Sequence, residues 1–140
     1  MIKFLDTLSG ELHVTERITL RGGLTDRRIV SAGLPFVREI DMRTGWVFRT
    51  TGPHILQNHT VQFSLGFHGD ALRRVTFAFT EERNLNIEDL FAKHNSFLRQ
   101  EVGIPDNQND RIMSYKFGWG GISSEIDPRN GTSSITITWI

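Results

Sequence analysis

The chain of 140 residues contains no cysteine. That excludes disulfides, thiolate metal sites and cysteine nucleophiles. It has a single tyrosine, and only three lysines against thirteen arginines. No stretch approaches the ~20 apolar residues of a membrane-spanning helix. Met1-Ile2-Lys3-Phe4-Leu5-Asp6 shows no secretory pattern, so a cytoplasmic location is the expectation. Net charge is missing too, because sixteen basic residues balance sixteen acidic ones. That balance argues against a nucleic-acid binder driven by bulk charge. No repeat or low-complexity linker divides the chain, and its length suits one domain over 1–140.

The balance conceals an asymmetry. Residues 1–80 hold ten Lys/Arg against seven Asp/Glu, and residues 81–140 hold six against nine. Arginine makes planar, bidentate contacts that lysine does not. The arginines therefore read either as partners in surface ion pairs or as a binding face for an acidic partner.

Helical periodicity is clearest over about 87–102. Ile87, Leu90, Phe91, His94, Leu98 and Val102 form one stripe, Asn86 caps its start, and Glu88 and Asp89 sit in the first turn. Gly103 and Pro105 end it, with Ile104 expected to fold back on the last turn. A short helix is expected over about 26–32, capped by Thr25 and stapled by Leu24 against Ile29. Elsewhere period-two alternation predicts strands: short ones at 2–5, 11–14 and 17–20, then 46–48, a hairpin of 61–67 with 75–79, and a terminal hairpin. In that last hairpin, Gly118-Trp119-Gly120-Gly121 reads as a β-bulge where the apolar parity switches from Phe117 and Trp119 to Ile122 and Ile126. Asp127-Pro128-Arg129-Asn130-Gly131 reads as the hairpin loop. Too few helices exist to cover both faces of a parallel sheet. The expected fold is α+β: an antiparallel sheet of five to seven strands, the long helix on one face, and a C-terminal β-hairpin.

Chemistry-bearing motifs are scarce. Gly118-x-Gly120-Gly121 precedes a strand rather than a helix and lacks a following Lys-Ser/Thr, so it does not fit a phosphate loop. Arg21-Gly22-Gly23-Leu24-Thr25 opens a helix with Arg27 and Arg28 nearby, which makes it a candidate anion contact as well as a plain turn. His54 and His59, five apart, would lie on opposite faces of one strand, and His94 falls on the apolar helix stripe as a packed core histidine. The carboxylate pairs Glu81-Glu82, Glu88-Asp89 and Glu125 with Asp127 sit beside turns and helix starts, where solvation suits them. Ser123-Ser124 and Ser133-Ser134 lack a nucleophile-elbow context. No metal and no cofactor are expected. The aromatics Trp46, Tyr115, Phe117, Trp119 and Trp139 read mainly as core, with Tyr115 or Trp119 as an interface anchor at a sheet edge.

Val102-Gly103-Ile104-Pro105, then Tyr115-x-Phe117-x-Trp119-Gly120, then Ser123-Ser124-x-x-Asp127-x-x-x-Gly131 and a final alternating strand resemble small uncharacterised bacterial α+β proteins. Some of those look like the immunity proteins encoded beside secreted bacterial toxins. The resemblance spans roughly the last 55 residues, rests on structural motifs and transfers no functional residue. It implies a cytoplasmic, non-catalytic protein-binding module, concretely an immunity-type inhibitor that plugs a toxin, without nucleic acid or membrane as partner. Two alternatives stand beside it. One is a small enzyme or ligand-binding domain with a pocket between sheet and helix, using His94, Arg21 and Glu125. The other is a subunit of a larger assembly whose terminal strand pairs with a neighbour.

Overall fold

Period-two alternation is clearest over 61–67, 75–79 and the terminal hairpin, and these stretches fold as parts of two antiparallel meanders. The computed structural model describes residues 3–81 and 84–140. A small ladder comes first, β1 (Leu12–His13) with β2 (Thr19–Leu20), followed by helix α1 (Asp26–Ser31). The first meander is β3 (Phe36–Asp41), β4 (Trp46–Leu56), β5 (His59–His68) and β6 (Ala71–Phe79). Helix α2 (Ile87–Glu101) leads into the second: β7 (Asn107–Gln108), β8 (Ile112–Phe117), β9 (Gly120–Asp127) and β10 (Thr132–Trp139). The two meanders join along β6 and β10, giving one sheet of order β3-β4-β5-β6-β10-β9-β8-β7. The order is symmetric about that seam, since each half is a helix followed by four strands.

The sheet is therefore larger than the five to seven strands expected: eight in the main sheet and two in a separate one. The added strands are β3 and β7, and β4 is longer than the expected 46–48: it runs through Pro53 although proline normally ends a strand. A register shift between Thr50 and Pro53 lets the residue without an N–H sit where the ladder is already broken. Gln57 and Asn58, both at positive φ (47° and 71°), then make the tight turn into β5. That backbone shape matches the twist of a two-residue hairpin.

The Gly118–Gly121 segment also differs from its sequence reading. It is a hairpin turn, not a bulge: Phe117 pairs with Gly120, Lys116 with Gly121 and Tyr115 with Ile122, without a register shift. A two-residue loop pairs odd positions with even ones, so chain reversal alone produces the parity switch. Gly120 is held at φ 151°, and a Cβ there would lie 1.9 Å from the Thr138 carbonyl oxygen. The next loop follows its chemistry. Asp127 Oδ1 accepts from the Arg129 and Asn130 amides, and Gly131 sits at φ 66°.

Both helices begin at their caps. Asn86 accepts from the Asp89 amide at 2.8 Å and Thr25 from the Arg28 amide at 3.3 Å. The buried side of α2 is Phe91, His94, Asn95, Phe97 and Leu98, and it meets β6, β9 and β10. Phe97 packs on Phe4 and Phe79 (ring centroids 4.9 and 5.1 Å), an anchor outside the expected stripe. Ile104 does not fold back; it is 89% exposed. Leu5 makes an isolated bridge to Leu12, whereas Ile2 of the expected 2–5 strand and Glu82 of the Glu81-Glu82 pair lie outside the described residues.

One face of the sheet carries the core. Val61, Phe63, Leu65, Val75, Phe77, Ile135 and Ile137 are all buried there, joined by Leu12, Leu20, Ile29 and Leu34 from the N-terminal segment. The opposite face carries the alternate residues, mostly short and polar.

Candidate functional site

His94 is fully buried between α2 and the sheet. Its Nε2 accepts the Phe79 amide at 3.1 Å, so Nδ1 carries the proton and donates to Ser133 Oγ at 3.0 Å. Burial pushes its pKa down to about 4, the Glu81 carboxylate opposing that shift. Both ring nitrogens are engaged, which leaves the ring a structural tie rather than a free base. Glu125, the partner expected for a pocket between sheet and helix, pairs across from Ser134 and Ile112 on the opposite face of the sheet. Arg21 lines clefts that include neither His94 nor Glu125. The structure does not bring these three residues together.

His54 and His59 share one face, because the turn at Gln57-Asn58 falls between them and the chain folds back. His59 bonds Glu81 at 2.6 Å and stacks on Phe79 at 3.9 Å. Burial raises the Glu81 pKa, but its bonds to His59 and Lys93 more than offset this and hold it below the usual glutamate value. Among the described residues no three His, Asp or Glu side chains gather as a metal-ligand set. None of the described helices is long and apolar enough to cross a membrane.

The other sequence candidates separate into two groups. Tyr115 is buried, and its hydroxyl donates to the Gly103 carbonyl at 2.7 Å. Trp119 stacks on Phe117 (5.0 Å), packs against Gly10 and donates from Nε1 to the Thr7 carbonyl. Both side chains thus hold the fold at one sheet end. Arg21, however, lines two adjoining clefts of about 350 and 390 Å³, meeting Arg73 and the edge of Trp119 in one and Arg28 in the other. Arg27 lines a separate hollow beside Asp26 and Val30. Asp26 is ion-paired to Arg49 instead, at 3.0 Å.

The uncovered face of the sheet holds a second cluster, built around Trp46, which the sequence reading put into the core. Strand register aligns Ile40, Phe48, Gly66, Arg74, Thr138, Gly121 and Lys116 in one row across seven strands. Gly66 leaves space for Phe48 to lie over it, since a Cβ there would stand 2.8 Å from the ring. Trp46 stacks parallel to Phe48 (5.9 Å, 11°), and the Arg74 guanidinium rests 5.2 Å above the Trp46 ring. Arg74 Nε is buried and has no hydrogen-bond partner among the described residues. The neighbouring row is Arg38, Thr50, Ser64, Thr76, Thr136, Ser123 and Ser114, six hydroxyls side by side across six strands. Ile40 and Met42 border the cluster at 42% and 51% exposure.

The parity of β4 alone does not reveal this. Trp46 and Phe48 alternate with Val47 and Arg49, so either face was open to them until pairing with Phe67 put the half-buried Val47 on the core side of the sheet. Comparison with known protein families, with curated proteins and with solved structures finds no match.

Proposed function

We propose that this protein is a non-catalytic protein-binding module, in its most concrete form an immunity-type inhibitor that occludes a toxin surface. One observation carries the reading. An uncovered sheet face bears a preformed Phe48–Trp46–Arg74 stack with an apolar rim. Tryptophan and arginine dominate the energetics of protein interfaces, and a rigid stack loses little conformational entropy on docking. The flat row of hydroxyls beside it supplies hydrogen-bonding groups of the kind found around such anchors.

The test is binding of the products of adjacent genes, toxin candidates first. A cognate partner binds the native protein, and Trp46→Ala combined with Phe48→Ala weakens it by about 2 kcal/mol or more. A partner indifferent to both substitutions, or none among the neighbouring products, removes the reading.

A further inference from the structure

We infer that the uncovered face of β3–β6 receives an acidic protein surface, with Arg74 taking a carboxylate of the partner. The inference rests on the protein-binding reading above and names the partner's chemistry.

Three observations lead to it. First, the open-face positions of the first meander contain Arg38 and Arg74 but no carboxylate; Glu39 and Asp41 point to the other side, opposite Arg49 and Val47. The face is cationic by register, although the chain as a whole is neutral. Second, Arg74 is held before any partner arrives. Trp46 supports the guanidinium plane, and no ion pair is formed to it by any described residue. Third, its Nε–H is withdrawn from water without a replacement acceptor. Leaving part of a charged guanidinium in that state is costly, and a carboxylate taken by its terminal N–H groups offsets that cost by stabilising the charge Nε shares.

Other occupants fit less well. A second copy of this chain would bring two cationic faces together. A nucleic acid would use the faces of Trp46 for base stacking, but Phe48 and Arg74 already lie against that ring. Two arginines also release few counterions, so phosphate contacts would contribute little affinity. Ile40 and Met42 add an apolar border suited to protein side chains.

The experiment is an NMR titration of the full-length 15N-labelled chain, following backbone amides, the three indole N–H signals and the Arg74 Nε–H, the last assigned by its loss in Arg74→Lys. The probes are a capped peptide of alternating glutamate and leucine, its glutamine–leucine counterpart, and an oligothymidylate of matched charge. The acidic peptide should shift the Arg74 Nε–H and the Trp46 indole. The glutamine version should bind about tenfold more weakly or worse, and Arg74→Lys should lose a similar factor with the amide spectrum otherwise kept. Equal binding of the glutamine peptide, tighter binding of the oligothymidylate, shifts confined to other surfaces, or no shift at millimolar peptide overturns the inference. A genuine partner that needs Trp46 and Phe48 but tolerates Arg74→Lys and Arg74→Gln also overturns it, while leaving the protein-binding reading intact.

Discussion

At the residue scale, burial and close approach decide most outcomes. His94 is neutral in the fold with a pKa near 4 against about 6.5 when unfolded. The unfolded chain therefore binds more protons between those values, so stability is full above about pH 6.5 and declines as pH falls toward 4. Urea titrations at pH 7 and pH 4 should differ by roughly 3 kcal/mol from this group, and His94→Gln should flatten that slope. Gly120→Ala is expected to cost about 3 kcal/mol or more, read as a drop in urea midpoint, because its Cβ would collide with backbone rather than a movable side chain. The sequence marked His94 as core and Gly120 as special, but gave the wrong reason for Gly120. A bulge and a two-residue turn produce the same parity switch, and only the pairing partner distinguishes them.

At the element scale, local signals were reliable wherever local bonds decide the structure. Asn86 and Thr25 cap the helices as their side chains dictate, and α2 and α1 each end one residue earlier than expected. Asn86→Ala should lower stability by about 1 kcal/mol in thermal unfolding. Phe97→Ala should cost about 3–5 kcal/mol, since its ring fills the space between α2, Phe4 and Phe79. The β3–β4 turn holds Arg43 at φ 58°, a conformation unfavourable for a residue with a Cβ. Arg43→Gly is therefore expected to be neutral or to raise the melting temperature modestly, worth up to about 1 kcal/mol. The elements missed in sequence were β3, most of β4 and β7. They carry interrupted alternation, Pro53 or only two residues, and they owe their form to the strands beside them.

At the scale of the whole molecule, the sheet ends in β3 and β7, and β3 is the longer free edge. Antiparallel pairing of two β3 strands with faces aligned would set Glu39 against Glu39, Glu39 against Asp41, or Arg38 against Arg38. Like charges directly opposite are destabilising. Sedimentation or light scattering of the isolated chain should accordingly give the mass of one copy, 16.0 kDa; a dimer that survives dilution would contradict this.

The sequence by itself determined the antiparallel, sheet-rich character, both helix starts and the Asp127–Gly131 turn, because these depend on side chains bonding or alternating over a few residues. It also determined that arginine would carry the positive charge. Tertiary structure alone decided that two meanders meet at β6 and β10, that Trp119 is wedged against Gly10 (109 positions earlier), and that Trp46 faces outward beside Arg74. The physical reason is the same in each case. Alternation divides a strand into two faces, but which face meets the core depends on what packs against it, and those partners lie far away in the chain.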